Sequence, residues 1–395
     1  MVDDKLSYKS VYFIKIEFII CFLIIFFTII KKTNLTSLFF ALSFVILFIW
    51  LLYILFCRKF NKSNFTNLLL LFAIILLSLI SVGYSAYSLP LTFDYYKKHI
   101  MFCSTVIYLF IISMTDINQK TLEFVLKINI CIAIVYILFY FFGDMNLFAN
   151  KYITFNFYNP NITAMFILQT ILYNFIAINF YKKKRTKLIC LACILFLAYF
   201  IYRTGSRTCL LSLFMGIVFM LFFVKEKKRK IKNYIASIII LSPIFIAILY
   251  LIMINSGYIK IFNFMVSEGK IADSRFAIWN FAFDAILNHP VFGAYYQISD
   301  GTGISQMHNT HIDVWASYGS IVFILLMIYI IRIVNDVNKR CETKMQKISL
   351  VAFFTVIIMG MGEAALFSGG QGIYILSCSF LLFAKYDFNN KLIVG

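Results

Sequence analysis

The sequence predicts an all-α, polytopic membrane protein, and three observations support this fold class. Of the 395 residues, 62% are hydrophobic and only 13% are charged, which is far from the composition of a soluble domain. Apolar runs of about 20 residues recur along the chain, and each is long enough to cross about 30 Å of hydrocarbon. These runs are continuous rather than alternating, so they favour helices over the strands of a barrel.

The apolar runs define about twelve candidate transmembrane helices in a single transmembrane domain that covers residues 1–395. The predicted spans are 10–30, 36–57, 66–89, 99–115, 122–143, 162–181, 188–202, 206–224, 234–255, 319–334, 348–366 and 371–386. The fourth, seventh and tenth are short, so their boundaries are the least defined. The largest loop, 256–318, lies between the ninth and tenth spans and has room for structure outside the bilayer.

The net charge of +19 is distributed asymmetrically along the chain. Lys and Arg concentrate in the N-terminus, in alternate loops and in the C-terminus, and the runs KKKRTK (182–187) and KEKKRKIK (225–232) both fall on this richer side. The positive-inside rule then predicts cytoplasmic N- and C-termini and an external 256–318 loop. Membrane topology explains the excess of basic over acidic residues, so we expect no nucleic-acid partner.

The nine cysteines give no metal or redox signature. Most lie in predicted spans, and the CxxC pair, CLAC at 190–193, lies on an apolar helix, where a small hydrophobic role is favoured. The sequence contains neither a phosphate-binding loop nor a glycine-rich dinucleotide motif. We therefore expect neither a metal ion nor a cofactor.

The external side receives all four histidines although it carries few charges. His308 and His311 lie together in MHNTHIDVWASYG (307–319), directly before the tenth span, and on a helix they would share a face with Trp315. A neutral imidazole suits proton transfer because it titrates near neutral pH. The alternative is that His308 only caps the tenth span.

Arginines mark two places on the external side. In the large loop, DSRFAIWNFAFDAILNHP (273–290) predicts an amphipathic helix along the membrane interface, anchored by Trp279, with Arg275 on the same face. RTGSR, which joins the seventh and eighth spans, contributes Arg203 and Arg207. Guanidinium groups bind phosphate oxygens bidentately, which favours an anion site over the alternative of interfacial snorkelling.

Two further polar positions lie on the external side. In YNPN, Asn159 or Asn161 is expected to cap the sixth span. Glu363, near the end of the eleventh span, is either a functional carboxyl group or the partner of an external arginine. Together with the arginines and histidines, these groups suit a lipid-linked sugar pyrophosphate, whose displacement needs cationic stabilisation of the leaving group and a base for the attacking hydroxyl.

The motifs resemble those of the bacterial O-antigen polymerase and ligase family, the Wzy-type and O-antigen ligase-like membrane proteins. Four stretches carry the resemblance, in the family's order over about residues 158–335: YNPNITA (158–164), similar to its Asn-Pro-Asn helix start; YRTGSRTCLLSLFMG (202–216), similar to its Ser-Arg hairpin; SRFAIWNFAFDAILNHPVFG (274–293), similar to its Arg…Trp…Pro…Gly segment; and His308-Asn309 followed by Gly319, similar to its His-Asn…Gly signature.

The resemblance implies a metal-independent glycosyltransferase of the bacterial cytoplasmic membrane that uses a glycan linked to undecaprenyl pyrophosphate and acts on the external side. Carried onto this chain, it implies that Arg207 and Arg275 hold the pyrophosphate and that Arg203 assists. The expected partners are the lipid-linked oligosaccharide, a chain-length regulator and a flippase.

The resemblance further implies that His308 is the base or the group that orients the acceptor. Whether His308 or Glu363 takes the proton stays open at this stage. The other residues expected to support the site are Asn309, His311, Asn161 and Trp279.

Three functions remain in competition. A polymerase adds the growing glycan to a new lipid-linked repeat unit and is favoured, because its roles also include capsule and exopolysaccharide synthesis. A ligase passes finished glycan to lipid A core or to another acceptor. A glycolipid flippase or small-solute transporter also fits twelve spans, but transporters place polar groups near the bilayer midplane and contain repeated halves, whereas these spans have middles that are nearly free of charge.

Overall fold

The computed structural model describes residues 2–58, 60–86, 93–143, 152–157, 159–224, 231, 233–255, 272–294, 307–363, 366–367 and 372–386. Within these residues the chain forms thirteen α-helices and no strand. The helices are α1 Val2–Ile29, α2 Thr33–Cys57, α3 Lys62–Ala86, α4 Phe93–Met114, α5 Gln119–Phe142, α6 Pro160–Phe180, α7 Lys184–Thr204, α8 Arg207–Val224, α9 Asn233–Asn255, α10 Ala272–Asn288, α11 Thr310–Arg340, α12 Lys344–Met359 and α13 Ile373–Lys385.

Twelve of these helices coincide with the twelve predicted spans, and α10 is the helix predicted in the large loop. Ten are long and apolar enough to cross a membrane. Of the predicted spans, α12 and α13 are shorter, with 16 and 13 residues. Apart from Lys344, all of their residues are buried, so these two helices are enclosed by the rest of the bundle. The prediction of an all-α, multi-pass membrane protein is confirmed.

Side-chain contacts fix the relative direction of the central helices. Gln169 Nε2 of α6 donates a hydrogen bond to Ser377 Oγ of α13 at 2.8 Å. One turn further along α6, the ring of Tyr173 stacks on Phe380 of α13 with centroids 4.4 Å apart. Since later residues of α6 meet later residues of α13, the two helices run parallel.

One end of the bundle contains the starts of five helices: α4, α6, α8, α11 and α13. Thr105 of α4 donates to the carbonyl of Leu366, just before α13 begins. Lys98, near the start of α4, forms an ion pair with Asp313 of α11 at 3.0 Å. The turn between α7 and α8 lies here as well, because the segment before α6 bonds to the carbonyl of Arg203. We call this the upper end of the bundle and the opposite one the lower end.

Helix α1 starts and helix α13 ends at the lower end. Asn156 Nδ2 donates to the carbonyl of Ile29, which places the end of α1 at the upper end. Lys385 Nζ, in the last turn of α13, bonds to the carbonyls of Ile112 and Ser113 at 3.0 and 2.9 Å, where α4 ends. The N- and C-terminal helices therefore have the same-side arrangement that the charge asymmetry predicted.

An ionisable residue, Glu17, lies in the middle of α1. Glu17 is fully buried in this span, and its carboxylate accepts a hydrogen bond from Ser43 Oγ at 2.8 Å. The same hydroxyl lies 3.0 Å from Tyr374 Oη. Span middles are expected to be nearly free of charge, and Glu17 is an exception in α1 that a local hydrogen-bond network accommodates.

The bundle has a large hydrophobic core and a separate smaller one beneath α10. The smaller core joins α9, α10 and the chain from Met307 to Ala316. Its buried members are Ile244, Ala247, Leu251, Ile278, Trp279, Ala282, Ala285, Ile286, Ala294, Met307, Ile312 and Ala316. Helix α10 thus uses its apolar stripe to cover the start of α11 rather than only to lie along a membrane surface.

Candidate active site

Helix α11 is sharply broken at Gly319, and its first part (310–318) folds back along the second. The rings of Trp315 and Phe323 stack with centroids 5.1 Å apart. In a straight helix these residues would be separated by about 12 Å along the axis. His311 and Phe323, about 18 Å apart in a straight helix, have ring centroids 6.2 Å apart. The first part of α11 therefore lies beside the transmembrane part instead of extending it.

The break has a backbone cause. Gly319 has φ +82° and ψ 174°, a conformation that disfavours any residue with a Cβ atom. On either side of it, the chain that follows α10 bonds to α11: Ser320 N donates to the Pro290 carbonyl, and Ala294 N donates to the Ala316 carbonyl, both at 2.8 Å. These bonds pair the backbone N–H and carbonyl groups that would bond within the helix if it were continuous. The sequence-based expectation that 307–319 simply leads into the tenth span is wrong in this respect.

Asn309 fixes the start of the folded-back segment. Its side-chain oxygen caps α11 by accepting from the backbone N–H groups of His311 and Ile312 at 3.0 and 3.1 Å. Its amide nitrogen donates to the carbonyls of Pro243 and Met361 at 3.0 and 3.2 Å. The first carbonyl belongs to α9 and the second to the chain after α12, so one fully buried side chain joins three parts of the bundle. A cap at this position is thus provided by Asn309 and not by His308.

His308 lies just outside the helix and pairs with a carboxyl group. Its φ of +48° is uncommon for a residue other than glycine, and its Nδ1 atom lies 3.2 Å from Glu363 Oε2. The side chain of His308 is 27% exposed, whereas that of Glu363 is 4% exposed. Thr310 positions the carboxyl residue, since its hydroxyl donates to the Glu363 carbonyl at 3.0 Å. His308 therefore does not share a helix face with His311, and Glu363 meets a histidine.

The residue before His308 is held from two sides. Trp279 Nε1 donates to the Met307 carbonyl at 2.9 Å, and Met307 N donates to Asp313 Oδ1 at 3.3 Å. Asp313 is in turn paired with Lys98 of α4. Because the ring of Trp279 is only 6% exposed, its role is to fix the chain next to His308, and the predicted anchoring at the membrane interface is not observed.

Of the residues expected to support the site, His311 lies in a packing contact and Asn161 lies in the first turn of α6. His311 is 2% exposed and presents its ring edge-on to Phe323, so it forms part of the contact between the two parts of α11. At the start of α6, the side chain of Asn159 caps the helix by accepting from the N–H group of Asn161 at 2.8 Å. Of the two asparagines considered as the cap, the first therefore has that role.

The arginines of the α7–α8 turn differ in their surroundings. Arg203 Nη1 donates to Tyr199 Oη at 3.0 Å, and its guanidinium group lies 5.9 Å from the centre of that ring. Arg207 is the first residue of α8 and is exposed. The backbone of Arg275 belongs to α10, while its side chain lies outside the described residues. Arg207 thus has the more accessible charge of the two described guanidinium groups.

Helix packing relates Arg207 to the His308–Glu363 pair. Gly216 of α8 lies against Thr355 of α12, close enough that a Cβ atom at Gly216 would be 2.5 Å from the threonine hydroxyl. Helix α8 begins at the upper end, where α12 finishes. Counted from this contact, Arg207 is nine residues, or about 14 Å of helix, toward the upper end. On the other side of the contact, α12 continues in the same direction to Met359 and leads to Glu363, so the arginine and the carboxyl group both lie on the upper side of this contact.

A known family matches the part of the chain that forms the centre of this site. Residues 191–327 match the family model described as O-Antigen ligase. We call residues 191–327 the O-antigen ligase segment, after the family to which they are similar. It contains Arg203, Arg207, Arg275 and His308, whereas Glu363 lies beyond the O-antigen ligase segment. No match was found among curated proteins.

The structure adds residues that the sequence did not suggest. Lys98 lies more than 200 positions from Asp313, so no local pattern connects the two. The one signal in the sequence is the group of basic residues at the start of α4, which lies at the same end of the bundle as Asp313. The sequence also does not predict a role for Met307, because this residue contributes through its backbone N–H and carbonyl groups. A partner for Glu363 was anticipated, but the O-antigen ligase segment supplies a histidine in place of the arginine that was considered.

Proposed function

We propose that this protein is a polysaccharide polymerase that transfers a growing glycan from undecaprenyl pyrophosphate onto a new lipid-linked repeat unit. The reaction takes place at the external face of the bacterial cytoplasmic membrane, which corresponds to the upper end of the bundle. The observation that carries the proposal is the pair of His308 and Glu363, 3.2 Å apart, within and beside the O-antigen ligase segment. A partly exposed imidazole oriented by a buried carboxyl group is an arrangement that serves general bases.

The reaction divides between a base and a cationic site. The imidazole of His308 accepts the proton of the acceptor hydroxyl through Nε2 while that oxygen forms a bond to the anomeric carbon of the donor sugar. The bond from that carbon to the pyrophosphate oxygen breaks, and both of its electrons leave with the pyrophosphate. Glu363 stabilises the resulting imidazolium and holds the ring in a single orientation. The positive φ of His308 supports this role, because strained backbone conformations concentrate at functional sites.

The arginines supply the second half of the chemistry. Arg207 and Arg275 bind the pyrophosphate and Arg203 assists, because developing negative charge on the leaving group is stabilised by guanidinium donors. Arg207 is accessible at the upper end of the bundle. With these donors the transfer proceeds without a metal ion.

The decisive test is the length distribution of lipid-linked and surface glycan in a strain that lacks this gene. A polymerase is supported if only single repeat units remain on the carrier or acceptor. In parallel, the purified protein is incubated with undecaprenyl-pyrophosphate-linked repeat units, which it should convert into longer chains. Absence of any product in that assay, together with accumulation of repeat units on the cytoplasmic side in the deletion strain, would instead identify a flippase.

A ligase is the second candidate, and the description of the matching family favours it. Here the same residues activate a hydroxyl of lipid A core or of another acceptor. If the deletion strain still makes full-length polymer but the polymer stays on its lipid carrier, chain growth occurs elsewhere and the protein is a ligase.

A further inference from the structure

A concave site lies at the lower end of the bundle, away from His308. This cavity has a volume of about 700 Å³. The described residues that line it come from α5, from the end of α6 and the start of α7, and from the start of α12. Helix α12 runs from this cavity to the upper end, a distance of about 24 Å along its axis. The cavity is therefore separate from the candidate active site.

The lining of this cavity is strongly cationic. Among the described residues that line it are four lysines and a single carboxyl group, Glu123, which forms an ion pair with Lys127 at 2.8 Å. Lys182, Lys183 and Lys344 are exposed at the mouth. Their three charges face the cavity without a carboxylate among its described lining residues to offset them, so an anionic occupant is favoured.

Backbone groups around the cavity add to this positive potential. Helices α5 and α12 begin at lining residues, and Lys183, directly before α7, also lines the cavity. These three helices, α5, α7 and α12, are 24, 21 and 16 residues long. Each helix start carries partial positive charge and N–H groups that have no partner within the helix. At the start of α7, Lys183 is the N-cap residue and makes no side-chain capping bond. An external oxygen acceptor can therefore bind there.

The remaining lining residues indicate an amphipathic occupant. Asn179 and Thr186 offer amide and hydroxyl groups, while Ile130 and Phe180 are apolar and belong to membrane spans. The cations lie at the ends of the same spans, at the level of lipid headgroups. A soluble anion would use the cations alone, whereas a phospholipid would use both parts of the lining.

We propose that this lower-end cavity binds the headgroup of an anionic phospholipid. The phosphate lies among Lys182, Lys183 and Lys344, and the glycerol lies against the amide and hydroxyl groups. The first methylene groups of the acyl chains contact the apolar residues. The shared chemistry is that of a phosphate ester, and the apolar lining favours the lipid as its source over a free phosphate compound.

The test compares the full-length protein with two triple variants. In the first, Lys182→Gln, Lys183→Gln and Lys344→Gln remove the cavity cations. In the control, Lys62→Gln, Lys120→Gln and Lys187→Gln remove three exposed lysines from the same end that do not line the cavity. Each protein, purified in a neutral detergent, is titrated with phosphatidylglycerol, phosphatidylcholine or soluble glycerol 3-phosphate, and bound lipid is counted by native mass spectrometry. Circular dichroism verifies that each variant retains its helices.

Phosphatidylglycerol is expected to bind the unaltered protein and the control equally. Binding to the cavity variant should be about a hundredfold weaker, since three membrane-proximal charges are lost. Equal weakening in the control variant would overturn the proposal, because the effect would then reflect overall charge. Equal binding of phosphatidylcholine, or competition by glycerol 3-phosphate at similar concentration, would also overturn it, since neither compound combines a net negative charge with acyl chains.

Discussion

Gly293 and Gly319 meet backbone to backbone, although they close two different sequence motifs. A Cβ atom at Gly293 would lie 2.5 Å from the backbone nitrogen of Gly319, and one at Gly319 would lie 2.0 Å from the carbonyl oxygen of Val291. Both glycines have positive φ, +73° and +82°. The close approach lets the chain after α10 bond to α11 at its break, and this holds the folded-back segment that begins beside His308.

Substitution of either glycine is therefore expected to disrupt the site. Gly319→Ala should lower the free energy of unfolding by about 3 kcal/mol or more, because the new methyl group overlaps backbone atoms and φ is unfavourable. Gly83→Ala in α3 is the control, since nothing lies within 4 Å of its added Cβ. Thermal unfolding in detergent and the rate of glycan transfer measure the effect. Equal behaviour of the two variants would contradict a tight contact at the break.

Removal of the proposed base should affect turnover more than binding. His308→Ala is expected to lower kcat about 100-fold or more, while KM for the lipid-linked donor changes little. Glu363→Gln preserves a hydrogen bond to the ring but not the negative charge, so about a tenfold loss of kcat is expected. His289→Ala, a half-buried histidine on the same loop, is the control. A wild-type rate in the His308 variant would exclude its role as the base.

The exchange of arginine for lysine tests the pyrophosphate contact. Arg207→Lys should raise KM for the donor about tenfold or more, because lysine retains the charge but loses the bidentate geometry. Arg203→Lys is expected to have a smaller effect, since that guanidinium group already bonds to Tyr199. Steady-state kinetics with a lipid-linked donor distinguish the two. If both variants behave alike, the turn acts only as a diffuse positive surface.

The hydrogen bond from Trp279 to the Met307 carbonyl is testable with a conservative change. Trp279→Phe keeps an aromatic ring but removes the donor, so we expect a loss of about 1 kcal/mol of stability and reduced transfer. Trp50→Phe is the matched control, because Trp50 is also buried and its indole nitrogen makes no hydrogen bond in the structure. An identical loss of activity in both variants would show that ring volume, rather than the bond, matters.

The ion pair of Lys98 and Asp313 should behave as a coupled unit. Lys98→Met leaves a buried carboxylate without its cation and is expected to cost about 2–3 kcal/mol. The double variant with Asp313→Asn should recover more than 1 kcal/mol of this, because the amide oxygen can still accept from Met307 N. A double-mutant cycle by chemical or thermal unfolding gives the coupling. Additive effects of the two changes would rule out a direct interaction.

Much of the scaffold was predictable from local patterns. Long apolar runs gave the twelve spans, because the hydrocarbon thickness sets the length of a helix that crosses it. The stripe in 273–290 gave α10 (Ala272–Asn288) by its periodicity. The alternation of basic loops gave the same-side arrangement of the first and last helices. Residue type and position pointed to His308 and Arg207, and the resemblance to the O-antigen polymerase and ligase family supplied their roles and added Asn309.

The tertiary structure decided how these residues are arranged. The residue pattern by itself predicts that 307–319 continue as a helix into the tenth span, because nothing within that stretch requires the helix to break. The break at Gly319 is stabilised by two hydrogen bonds to a segment that only folding brings near: the Pro290 carbonyl accepts from Ser320 N, and Ala294 N donates to the Ala316 carbonyl. The pairing of His308 with Glu363 likewise depends on where α12 ends. The sequence by itself determined which segments cross the membrane and which polar residues lie at one end, since both follow from the solvent around each segment. The contacts between distant segments determined the geometry of the site.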